Sequence, residues 1–292
     1  MYILKTKTIS LLLFLILILP ISIIAQDLKW ESLLDKNLTQ WDVFIGVPHH
    51  TVKGLEGVPK GDGMEGTPIG LNNDPLNVFS TVEEKGEVVL HVSGEIYGGL
   101  TSKTIYENYH LKLDFKWGEK KWEPRLKDKR DNGLLYHCNG EHAAFWNVWM
   151  ESQEFQIQEG DMGDYFGLAG GVNTILVKKN EENFFEYNPE GEVIRLGIGL
   201  EGKNMYRGVR RGNFEKPNGE WNTLELVCYN GKSYHIVNGQ IVMVLEKAER
   251  KTEEGYAQVT RGKLQLQSEA AEAFYRNIKI KKIITLPDFL KE

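Results

Sequence analysis

Apolar positions along this chain fall at every second residue, or in short unbroken runs, over most of its length. The runs are Val88–Val92, His110–Trp117, Gly133–Cys138, Glu154–Gln158, Thr174–Val177, Thr223–Tyr229, Tyr234–Val237, Ile241–Leu245, Lys263–Gln267 and Phe274–Ile283. A period of two sends successive side chains to opposite faces of an extended backbone, so each run predicts a strand. Gly, Asn and charged clusters separate them. Asn230-Gly231 and Asn238-Gly239 predict two-residue hairpin turns, whose central positions take positive φ. No capped amphipathic helix pattern follows residue 25. Many strands with little helix predict an all-β sandwich or barrel, and the length fits one large domain over 26–292.

The first segment reads differently. Lys5 and Lys7 precede an almost charge-free run from Ile9 to Ala25, interrupted by Pro20. A basic start, an apolar middle and a small closing residue predict a secretory signal over 1–25, cleaved after Ala25. The rival is an uncleaved anchor, since the run approaches the roughly 20 residues that span a bilayer. Either way the chain is expected to be exported, periplasmic or extracellular, and no second stretch is long enough to cross a membrane once the signal is gone. In an oxidising compartment Cys138 and Cys228 have two readings, a disulfide or two buried thiols.

Composition narrows the classes. Hydrophobic residues make up 41% of the chain and there are 2 Cys, which excludes a disordered or disulfide-stapled protein. Lys and Arg total 35 against 41 Asp and Glu, with no basic block, so nucleic acid is not an expected partner. Gly61-Asp62-Gly63-Met64-Glu65-Gly66 matches G-x-G-x-x-G, but Pro59 and Pro68 bracket it and no helix pattern follows. That fingerprint works only where a strand enters a helix, so no nucleotide cofactor is expected. Two polar stretches, 46–77 and 119–131, either wall a binding site or are solvated loops.

The chemistry concentrates between Asp131 and Gly171. Alternation places Glu154, Gln156 and Gln158 on one face of a strand and Phe155 and Ile157 on the other, and Gln265 and Gln267 share a face in a second run. Rows of amides and carboxylates suit sugar hydroxyls, each of which wants a donor and an acceptor. Trp146, Trp149, Tyr136 and Tyr165 are candidate stacking surfaces for a pyranose ring. The plainer alternative is a solvated sheet face with core aromatics. Glu159-Gly160-Asp161-Met162-Gly163-Asp164 reads as a cation loop or as a turn. His137, His142, His91, His49 and His50 are candidate bases or ligands.

Taken in order, Asp131–His137, Glu154–Asp161, Gly219-Glu220-Trp221-Asn222, Val237-Asn238-Gly239, Leu266-Gln267-Ser268-Glu269 and Phe274–Ile278 resemble the secreted 3-keto-disaccharide hydrolase domain family over about 28–284. The resemblance implies a concanavalin A-like jelly-roll sandwich of two antiparallel sheets, with long loops around a concave cleft. It also implies a small sugar substrate. Glucanases of that architecture carry a strand resembling E-x-D-x-E, whose two glutamates are nucleophile and acid/base. Here the run is Glu154-x-Gln156-x-Gln158, which keeps one carboxylate, and Glu159 points to the other face unless a bulge intervenes. Direct retaining hydrolysis needs two carboxyl groups about 5 Å apart. A 3-keto-glycoside needs less, because its ketone acidifies the C2 proton and one base can drive β-elimination. The resemblance therefore suggests Glu154 as base or metal ligand and His137 as acid/base or ligand. Gln156, Gln158, Gln265, Gln267, Glu269, Trp146 and Tyr136 are the expected substrate contacts. One divalent cation chelated by the ketone and the C2 oxygen would stabilise the enediolate. A lectin-like carbohydrate-binding module without chemistry is the competing class.

Overall fold

The computed structural model describes residues 29–291, so the expected signal segment lies outside the described residues. Each of the ten predicted runs lies within or overlaps a strand. Six strands form one antiparallel layer in the spatial order Trp41–Ile45, Gly98–Ser102, Arg261–Ser268, Asp131–Asn139, Glu151–Gln158 and Tyr165–Leu168. The other layer runs Phe79–Glu84, Glu87–Val92, Ala271–Lys282, Tyr109–Lys121, Asn222–Tyr229, Lys232–Val237, Gln240–Thr252 and Gly171–Lys179. The fold is all-β, and the one described helical element is the short 3-10 turn Asp288–Leu290.

Both predicted hairpin turns are present. Asn230 and Gly231 take φ of 49° and 81°, and Asn238 and Gly239 take 50° and 81°, which matches the twist of the strands they join. Between the layers, Leu134, Phe155, Ile157, Leu264 and Leu266 from the first meet Leu111, Leu113, Phe115, Leu224 and Leu226 from the second in one buried core. Polar contacts cross between the layers as well: Tyr275 donates its hydroxyl to Asn132 Oδ1 at 2.7 Å, and Tyr136 lies 3.2 Å from His235 Nε2. Cys138 and Cys228 are buried free thiols, so the second of their two readings holds.

The outer face of the first layer carries a second, smaller apolar cluster. Segment 140–150 folds back over it, packing Val148, Trp149 and Met150 against Leu135, Phe44, Tyr97 and Leu168. Trp149 is 1% exposed and donates its indole N–H to the Gly98 carbonyl at 2.9 Å. The Met150 amide donates to Gln265 Oε1 at 3.2 Å. These contacts fasten an aromatic loop across one half of the polar face.

Candidate active site

Strand register assembles the site in rows. Residues directly opposite each other on antiparallel strands share a face. Glu154 pairs with Leu135 on one side and Phe166 on the other, and Leu135 pairs with Gln265. One row along, Gln156 pairs with Gly133. In the next, Gln158 pairs with Asp131, which bridges to Glu269. A cavity of about 270 Å³ opens over these rows, and Glu154, Gln156, Gln158, Gln267, Asp131 and Glu269 all line it. Gly133 makes the depression: a Cβ there would overlap both Gln267 Oε1 and Glu154 Oε1.

Arg125, from the charged loop 119–131, closes the polar end. Its guanidinium pairs with Asp131 at 2.5 Å and with Glu269, and Gln158 donates to the same Asp131 at 2.6 Å. Two carboxyls thus share one guanidinium, and the Glu154 carboxyl lines the same cavity without pairing to it. Burial pushes Glu154 well above the ordinary carboxylate range, and repulsion from Glu269 and Asp131 adds to it. Glu269 is pushed up to about 8 by burial and by Asp131, with Arg125 opposing. Asp131 is pushed up to about 6 by burial, against the pull of Arg125 and Gln158. Glu154 differs from the other two in that no hydrogen bond from a described residue reaches its carboxyl, so burial and charge repulsion raise its proton affinity against only the charge of Arg125. Gln267 Oε1, on the other side of Gly133, is buried without a partner. Buried polar atoms rarely stay unpaired, and this oxygen, beside Glu154 Oε1 over one glycine, marks a place where a ligand's hydroxyls belong.

The remaining expected residues separate. Trp146 and Trp149 line the cavity, and Trp146 is 42% exposed at its mouth. Gln265 shares the face but is absorbed by the loop, accepting from Met150 and donating to Thr101 Oγ1 at 2.7 Å. Tyr136 is corrected from a stacking surface to a core residue, because alternation turns it inward against His235. His235 Nδ1 lies 3.1 Å from the Gly163 carbonyl, which leaves Nε2 to accept from Tyr136. Tyr165 is likewise buried, donating to Gln153 Oε1 at 2.6 Å.

His137 does not reach Glu154. It sits at φ 52° where the register of its strand slips, is 3% exposed, and is absent from the cavity wall. Neither ring nitrogen has a partner, and burial lowers its pKa to about 4. The proposed cation site therefore does not fit. Its two ligands are apart, Arg125 already holds Asp131 and Glu269, and among the described residues no three His, Cys, Asp or Glu side chains are grouped to hold a metal. The acidic loop 159–164 is a turn in which Arg207 and Arg210 hold Asp161 and Asp164. Glu159 faces away from the cavity toward Arg130 and Asn218.

Residues missed from sequence are Arg125, Asp131 as a site group, Phe145, Leu168, Phe166, Ile198 and Tyr206. The charge density of 119–131 flagged the first as a candidate wall. Nothing in the local pattern marked the last three.

A family model described as "3-keto-alpha-glucoside-1,2-lyase-like domain" matches residues 29–281. Among solved structures, one putative glycosyl hydrolase from Parabacteroides distasonis ATCC 8503 is 19% identical, with 87% of this chain and 100% of that chain covered and a TM-score of 0.45. A second putative glycosyl hydrolase from the same organism is 21% identical, covering 70% and 83%, with a TM-score of 0.42. The β-glucanase of Bacillus licheniformis is 12% identical, covering 88% and 98%, with a TM-score of 0.38. No curated protein sequence matches the chain.

Proposed function

Because the chain belongs to the 3-keto-alpha-glucoside-1,2-lyase-like domain family, and so to the carbohydrate-active proteins, we propose that it cleaves 3-keto-glycosides by elimination followed by addition of water. The observation that carries this reading is the Glu154 carboxyl, buried, unpaired and aimed into a cavity beside Arg125. A carboxylate whose protonated form is favoured by its surroundings is a stronger base than one in water.

The steps balance on this chain's own groups. Glu154 takes the proton from C2, and the electron pair moves toward the C3 ketone as an enediolate. Arg125 supplies the positive charge that such an oxyanion requires. The C1–O bond then breaks, leaving a double bond between C1 and C2, and the proton now on Glu154 passes to the departing alkoxide. Water adds hydroxide at C1 and a proton at C2, giving the 3-keto sugar. Gln156, Gln158 and Gln267 orient hydroxyls, and Trp146 and Trp149 cover a ring face. His137 has no part in this reading, and export with removal of 1–25 is part of it.

The test incubates the protein with a glucoside and its 3-keto derivative, each with and without a chelator. Cleavage of the keto form alone, unchanged by chelator, is expected. Glu154→Gln should lower turnover by roughly a hundredfold or more while the protein still folds, as loss of a general base does. Near-normal turnover by that variant would overturn the assignment. Sugar binding without turnover would instead favour the carbohydrate-binding class, which the same polar rows also suit.

A further inference from the structure

The cavity has two chemically different halves, and Glu154 stands on the line between them. On its Leu135 side lie Asp131, Gln267, Glu269 and Arg125, and Gln156 and Gln158 follow Glu154 along its own strand. On its other side the sheet continues into Tyr165–Leu168, where Phe166 sits directly opposite Glu154 and Leu168 opposite Ser152. Ile198 and Tyr206 complete that wall, and the Phe166 and Tyr206 rings lie 6.1 Å apart at 34°. Tyr206 alone among these four brings a polar atom. Arg207, 6.0 Å from the Phe166 ring, is committed to Asp161 and Asp164.

We infer that the leaving group of the substrate is a flat apolar alcohol, such as an aryl or arylmethyl group, seated on Phe166, Leu168, Ile198 and Tyr206. This rests on the proposed cleavage. If Glu154 takes the proton from C2, the C1–O bond lies next to it, and the sugar occupies the half that can satisfy its hydroxyls. The departing group then extends over Phe166. A second sugar there would lose water from several hydroxyls and recover little, because phenyl and alkyl groups accept no hydrogen bonds of comparable strength. An aromatic ring loses no hydrogen bonds and gains the burial of its apolar surface together with ring-to-ring contact.

The experiment titrates the 3-keto forms of methyl glucoside, benzyl glucoside and a glucosyl-glucose disaccharide, in both anomeric configurations, into the full chain carrying Glu154→Gln. Benzyl and methyl differ by one ring, and burying its area should tighten Kd by about tenfold or more. The disaccharide should bind no better than the methyl glycoside. Ile198→Asn and Tyr206→Ala, chosen beside Phe166→Ala in case the last does not fold, should weaken benzyl binding more than methyl binding and so erase the benzyl advantage. A disaccharide that binds more tightly than the benzyl glycoside, equal benzyl and methyl affinities, or no binding of any of the three overturns the inference. Turnover by the unmutated protein is read separately. Turnover without a benzyl preference refutes this inference alone, whereas a benzyl preference without turnover refutes the cleavage and keeps the aryl-glycoside pocket.

Discussion

Removing the guanidinium that two buried carboxyls share should destabilise the protein in a pH-dependent way. In Arg125→Met the chain keeps a side chain of similar reach but leaves Asp131 and Glu269, 3% and 4% exposed, without their cation. Breaking a buried pair by deleting one partner costs about 3–5 kcal/mol when the other stays charged. Here the carboxyls have an escape, because each can take up a proton. In the intact protein both are raised from their ordinary 3.8 and 4.5, to about 6 and about 8. A raised folded value means that stability from these groups is full below the unfolded values and declines as pH rises through the folded ones.

Arg125 opposes that rise in both groups, so its loss moves both folded values still higher. Near pH 5 both carboxyls are largely protonated in either protein, and the substitution should remove only packing and neutral hydrogen bonds. Above about pH 6 the variant retains a proton that the parent has released. The stability gap should then widen by up to about 1.4 kcal/mol per pH unit for each such proton, until it approaches the range for an unpaired buried charge. Urea unfolding of both proteins at pH 5, 6.5 and 8 measures this directly. A gap that is constant across those values, or largest at pH 5, would refute the reasoning, because the guanidinium would then not be holding charged carboxyls.

Three further outcomes follow from the same geometry. Gly133→Ala should place a methyl group against Glu154 and Gln267, costing about 1–3 kcal/mol by overpacking and most of the turnover, with the activity loss larger than thermal destabilisation alone accounts for. Tyr136→Phe should leave turnover near the parent value while lowering stability by about 1 kcal/mol, since the lost hydroxyl serves His235 in the core; a large effect on KM would return Tyr136 to the cleft. Trp149→Ala should cost about 3–5 kcal/mol and raise KM, because the residue both packs the 140–150 loop and walls the cavity; unchanged KM would remove it from the site.

The sequence alone determined the alternation, and with it the strands, the two Asn-Gly turns and the face each residue takes wherever a strand runs without a register slip. Glu154, Gln156 and Gln267 were readable as site groups for that reason, since a period of two is a local property. The same rule turns Tyr136 inward, because it sits two residues from Leu134 on the core face, yet its aromatic character suggested a sugar platform. His137 failed differently: a one-residue slip beside the 261–268 strand lies between two strands, and no local pattern encodes it. Only the tertiary structure decided that Arg125 reaches across from its loop to Asp131 and Glu269, 6 and 144 residues along the chain, and that the 140–150 loop lies on the polar face. Pairwise electrostatics depends on distance in space and on exclusion of water, and both are set by how the layers and loops close over one another. A carboxyl at position 154 is chemistry in waiting; its raised proton affinity arises where the fold buries it beside two others.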